Sequence, residues 1–259
     1  MIDLPDSSVF AAAFHDRRFA WAAAVAALSG LVRGFTGFGS ALIYMPLIAA
    51  IYEPRVAAVT LLLTDFVSSA PYTLPEFRKC TWREVLPISI AMAVAVPFGT
   101  FALLVVDPVV IRWGIAILVL GLLAVLIAGW RFRGKPGLPV TIAVGLFAGF
   151  GAGAVQIAGP AVIIYWLSRG NTAVTLRANL MVFFALCGAV LVISYFVQGL
   201  FSAELFALSV LFGAPYIVAM GIGAYFFHGT SDRLYRNLTY VIIVAAAILS
   251  LPIFDGALR

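Results

Sequence analysis

Eight consecutive residues, Arg33-Gly34-Phe35-Thr36-Gly37-Phe38-Gly39-Ser40, set a guanidinium and two hydroxyls among three glycines. They interrupt an apolar run from Phe19 to Ile51. Glycine loses the most backbone entropy on ordering, so three in six residues weaken a helix there. About 20 apolar residues already span a bilayer. This run is longer, broken in its middle and cationic at the break. Irregular backbone at membrane depth is tolerated only where protein buries it or it lines a watery cavity. A half-helix starting near Ser40 would aim free N–H groups and a positive dipole end into that cavity, which suits an anion. A guanidinium matches a tetrahedral oxyanion with two N–H donors. Arg33, Gly34, Thr36, Gly37, Gly39 and Ser40 are therefore candidate ligands of a small anion.

A second such stretch lies in Pro139–Leu167, where Gly149 to Gly153 predict a break. Gly151 and Gly153 would offer backbone, and Gln156 a neutral donor to an oxyanion. Arg177 and Asn179 follow within two turns of the start of the next span. Arg177 either reaches this second break or anchors the cytoplasmic end of its helix. Arg33 sits fourteen residues into its segment, roughly 20 Å deep at about 1.5 Å per residue. It is an anion ligand, a partner of Asp65, or a side chain snorkelling to an interface. Asp65 lies near the centre of its span, ten residues from Arg55 and eleven from Glu76. It is a proton carrier or the structural partner of Arg33 or Arg177.

The elements that would position these groups are helices. Of 259 residues, 64% are hydrophobic and 10% charged, and mean hydropathy is +1.11. Soluble domains carry about 25% charged residues, so the chain reads as an all-α integral membrane protein. Eight apolar segments follow one another: Phe19–Ile51, Arg55–Leu74, Val85–Val106, Val109–Trp130, Pro139–Leu167, Thr172–Val197, Ala203–Phe227 and Tyr235–Phe254. They form two repeats, 19–130 and 139–254, behind an N-terminal tail (1–18) and joined by a basic cytoplasmic linker (131–138). Gly37-Phe38-Gly39 with Pro46 lines up with Gly151-Ala152-Gly153 with Pro160, and Ala58-Val59-Thr60-Leu61 with Ala173-Val174-Thr175-Leu176. Corresponding interrupted segments in two halves point to a transporter's binding site.

The net charge of +5 comes from arginines in short loops and reads as topology signalling with anionic lipid, not nucleic acid. Arg78, Lys79 and Arg83 mark one loop as cytoplasmic, Arg131, Arg133 and Lys135 a second, and Arg233 with Arg236 a third. Three full crossings would separate the last two. The conflict disappears if each broken segment enters and leaves on one side, giving inverted halves with both termini outside. The alternative is eight full crossings with an imperfect charge rule. Trp82, Trp130, Tyr165 and Trp166 read as interface belts. Cys80 and Cys187 lie in a loop and a span, so no disulfide is expected.

Neither His15 nor His228 joins a metal-ligating spacing, no Gly-x-Ser-x-Gly elbow occurs, and no Gly-Lys-Thr/Ser phosphate loop occurs. Enzyme, ATP-driven pump and cofactor readings have no support.

Gly34 to Gly39 with Pro46, and Gly149 to Gly153 with Gly159-Pro160 and Ile164-Tyr165, resemble the two half-signatures of the sulfite exporter TauE/SafE family. The resemblance covers nearly the whole chain. Phe38-Gly39-Ser40 and Gly153-Ala154-Val155 stand where many members carry a triple glycine. Thr60-Leu61 and Thr175-Leu176 stand where many carry a Thr-Ser pair. The resemblance implies a secondary transporter of sulfite, thiosulfate or organosulfonates in a bacterial-type inner membrane. Its expected partners are a small anion, the lipid bilayer and a coupling proton or cation. A passive anion channel or an accessory membrane subunit stand as alternatives. Oligomeric state is not legible.

Overall fold

The computed structural model describes residues 16, 18–36, 39–128, 136–226, 244 and 248. The eighth expected segment (Tyr235–Phe254), the basic positions Arg131, Arg133, Lys135, Arg233 and Arg236, Trp130 and both histidines lie outside the described residues. The elements are α1 (Phe19–Thr36), α2 (Ser40–Ile51), α3 (Pro54–Thr73), a 3-10 turn (Leu74–Arg78), α4 (Trp82–Val105), α5 (Pro108–Ile127), α6 (Leu138–Val155), α7 (Gly159–Leu167), α8 (Ala173–Val197) and α9 (Ala203–Phe226). Pro54–Arg78, Trp82–Val105, Leu138–Val155, Val174–Val197 and Ala203–Tyr225 are long and apolar enough to cross a membrane. Phe19–Gly34, Ser40–Ile51 and Pro108–Leu122 are shorter apolar helices.

Helix α4 shows why these segments belong in lipid. Leu86, Ile90, Val94, Phe98 and Val105 are exposed, while Val85, Ile88, Met92, Val96 and Leu103 are buried. Both faces are apolar, and the exposed one would be an intolerable patch in water. Pro87 and Pro97 lie inside this helix. Each removes a backbone hydrogen bond, a loss that neighbouring helices offset in membranes.

The chain packs as two compact units. One comprises α1, α2, α3 up to Asp65, α5 up to Leu120, and α9; the other comprises the rest of α3 and α5 with α4, α6, α7 and α8. Within each, a helix that stops short of a second half-helix lies against an uninterrupted span. In the first unit α1 packs on α9, and a Cβ at Gly30 or Gly34 would collide with the backbone of Tyr216 or Met220. In the second α6 packs on α4, and a Cβ at Gly149 or Gly153 would collide with the backbone of Met92 or Val96. Gly99 of α4 meets the Phe150 backbone in return. Lipid supplies no hydrophobic drive between helices, so small residues four apart let dispersion between backbones hold them together.

This use of glycine moves the second break. Gly149–Gly153 do not interrupt the helix; α6 continues through them to Val155. The interruption is Gln156-Ile157-Ala158, where Gln156 turns left-handed (φ 58°) and its N–H reaches back to Ala152 and Gly151. Gly34 likewise lies inside α1, and the first interruption falls between Thr36 and Ser40. The glycines carry close packing, and the breaks come just after them. The helix ends at Thr36 and Val155 lie 119 positions apart, as do the restarts at Ser40 and Gly159. Gly30/Gly34 then correspond to Gly149/Gly153, and their contacts Tyr216/Met220 to Met92/Val96.

Gly149→Val should cost about 1–3 kcal/mol or more by overpacking, seen as a lower thermal midpoint in detergent. Gly114→Ala, where an added Cβ meets nothing within 4 Å, should be neutral or stabilise by up to about 1 kcal/mol.

Candidate functional site

Arg33 lies in the last turn of α1, where the negative end of the helix dipole favours a cation. Its Nε donates to Asp65 Oδ1 on α3 at 3.0 Å, with the two side chains 12% and 26% exposed. The Tyr216 hydroxyl on α9 donates to the same oxygen. Ser40, buried at the first position of α2, hydrogen-bonds Tyr216. Four elements thus meet through Arg33, Asp65, Tyr216 and Ser40 beside the first break. Gly39 holds the break open in the left-handed region (φ 92°) and caps α2 without a side chain. Thr36 closes α1; its side chain and all of Gly37 lie outside the described residues. Tyr44 on α2 donates to Thr60 on α3 at 2.9 Å, and Thr64 on α3 to the Ser209 carbonyl on α9 at 3.2 Å.

In the second unit Gln156 Nε2 donates to the Tyr195 hydroxyl at 3.2 Å, which donates to the Gly153 carbonyl at 3.1 Å. Gln156 is the one non-glycine with positive φ among the described residues, a strained conformation that costs of order 1–3 kcal/mol and tends to mark functional sites. Helix α7 begins after Ala158, which has no side chain to cap it. Gly151 and Gly153 lie in the buried last turns of α6.

Arg177 and Asn179 do not gather here. Arg177 is exposed and makes no ion pair among the described residues. Asn179 is fully buried; it accepts from the Thr81 N–H at 2.8 Å and donates to Glu84 Oε2 at 3.4 Å. It belongs to a polar clasp absent from the sequence reading. Glu84 also takes Arg169 Nε at 3.0 Å and Asn171 Nδ2 at 2.8 Å. Arg169 reaches Tyr165 at 3.0 Å, and Tyr165 shares a 2.7 Å hydrogen bond with Thr141. Burial draws the Arg169 pKa down, but the hydrogen bond and charge of Glu84, with Tyr165, outweigh it and leave it raised. The clasp ties the end of α7 to the starts of α4 and α6. Tyr165 and Trp166 are therefore not interface residues: both are buried and hold this packing. Trp82 is exposed, as a belt residue should be.

Tyr216 and Tyr195, which hydrogen-bond Asp65 and Gln156, were not legible as site residues. The tyrosines sit in apolar spans and read as packing. Arg112 of α5 is buried as well. The described residues hold no cluster of three His, Cys, Asp or Glu that would take a metal.

The family model described as Sulfite exporter TauE/SafE matches residues 22–250. The chain belongs to this family. No curated protein and no solved structure matches it. As a TauE/SafE-family member it is a multi-pass membrane transporter of sulfur anions such as sulfite.

The Arg33–Asp65 pair makes a stability prediction. Arg33→Ala or Asp65→Ala each strands a charge and should cost about 3–5 kcal/mol. The double variant should cost markedly less than the sum. Thermal unfolding of all four proteins in detergent measures the coupling.

Proposed function

We propose that this chain is a secondary transporter that holds a small sulfur-containing anion, of the sulfite or organosulfonate type, at its helix breaks and moves it by alternating access. The observation that carries the reading is the first break. There a largely buried guanidinium connects, through Asp65 and Tyr216, to the first residue of a half-helix with no side-chain cap. Free N–H groups, a helix dipole and a guanidinium favour the same ligand class. Gln156 with the start of α7 supplies a neutral counterpart at the second break. Gly39 contributes backbone at the first break.

The inverted-repeat reading has its own support. The broken helix of the first sequence repeat packs on the third span of the second, and the broken helix of the second on the third span of the first. Such an exchange is what a two-fold relation between repeats produces. The repeats then rock around the anion, with Arg78, Lys79 and Arg83 on the cytoplasmic side of an inner membrane.

With an ion gradient imposed across the membrane, liposomes containing only this chain should take up sulfite or sulfoacetate saturably and accumulate it against its gradient. Flux without accumulation would make the protein a channel, and absence of flux an accessory subunit. Arg33→Lys keeps the charge and the pair with Asp65 but loses the planar fork. It should weaken anion affinity about tenfold or more, and unchanged affinity would remove Arg33 from the site.

A further inference from the structure

The Arg33 guanidinium already has an anion. Asp65 Oδ1 sits on its Nε at 3.0 Å, where an oxyanion ligand would be received. The pair is neutral as a whole, so it offers an arriving anion no net attraction. Worse, the carboxylate would lie beside the newcomer in a largely water-excluded site, where like charges repel most. Among the described residues, the titratable groups that face Asp65 are Arg33 from α1 and the Tyr216 hydroxyl from α9, with Ser40 of α2 behind Tyr216. Arg33 and Tyr216 both donate to the carboxylate, and among the described residues no second acid is paired with either of them.

We propose that Asp65 is the proton-binding site of this transporter, and that a proton and a monovalent oxyanion bind Asp65 and Arg33 together. In the empty protein Asp65 is ionised and occupies Arg33. When the anion arrives, one proton from solution binds the carboxylate, the ion pair opens, and the guanidinium turns its N–H donors to the anion. One negative charge and one proton enter together, so the loaded site carries the same net charge as the empty one. A site that keeps its net charge crosses the apolar interior at no added electrostatic cost, loaded or empty. Proton and anion therefore travel in the same direction. This rests on the anion site proposed above, and the test separates the two.

Methanesulfonate is the probe, because its charge stays fixed across the working pH range while that of sulfite does not. Its binding to the full-length protein in detergent is measured from about pH 5 to about pH 8. Wherever the empty protein has Asp65 ionised and the complex has it protonated, the dissociation constant should rise about tenfold per pH unit. A pH dye in weak buffer should report one proton taken up per anion bound. Asp65→Asn should bind with the low-pH affinity of the wild type at every pH. Tyr216→Phe removes a donor to the ionised carboxylate, so binding should persist to higher pH. Binding that is independent of pH, with no proton uptake, would overturn the proton site and leave the anion site intact. Absence of binding to the folded wild type at every pH, for sulfite as well as methanesulfonate, would overturn both. Should Asp65→Asn not fold, an unshifted Tyr216→Phe profile would likewise overturn the proposal.

Discussion

Inside a bilayer every backbone N–H and C=O must find its partner within the protein. A helix that is interrupted among other spans can exist only if something shields the broken ends. Here the shield is backbone against backbone. Gly30 and Gly34 let α1 lie on α9, and Gly149 and Gly153 let α6 lie on α4, with no room for a methyl group in between. The interruptions follow directly after these contacts, at the point where the chain is best supported. Polar break, charged side chains and uncapped half-helices all depend on those contacts.

Charge is handled in two ways. Near the first break Arg33 and Asp65 neutralise one another, with Tyr216 on the same carboxylate oxygen. A pair of this kind is weak evidence for stability, because desolvation offsets much of its attraction. It does hold two charges where a solitary one would be expelled. At the ends of the second unit's helices Glu84 binds Arg169, Asn171 and Asn179 together. That cluster connects loops to helix starts and has every sign of a fixed joint. One constellation has the composition of a site, the other of scaffolding.

Much of this was legible in the letters. The length and composition of the spans announce a membrane bundle, and the depth of Arg33 and Asp65 makes their pairing one of the readings that the structure then selects. Position along the break was harder. A glycine cluster signals either a weak helix or a close neighbour, and only the neighbour decides which. Gly151 and Gly153 were read as a break and are helical, because Met92 and Val96 lie against this stretch of α6. Repeat register suffered for the same reason: aligning glycine triplets gives an offset of 114, while the helix ends lie 119 apart. Tyr216 and Tyr195 were invisible, since a tyrosine in an apolar span looks like packing until its hydroxyl has a partner. Asn179 was drawn to the site by its closeness to Arg177 in sequence, yet two residues apart on a helix face different ways.

The most direct test of the central claim is thermal stabilisation of the purified protein by sulfite, thiosulfate, sulfoacetate, taurine, sulfate, phosphate and acetate. A ligand that binds only the native state stabilises it by about 2.7 kcal/mol at a hundredfold excess over its dissociation constant. The account predicts a shift with one or more of the sulfur oxyanions and little with acetate, cut to about half or less in Arg33→Lys. No shift with any anion, from protein that unfolds cooperatively, would contradict it.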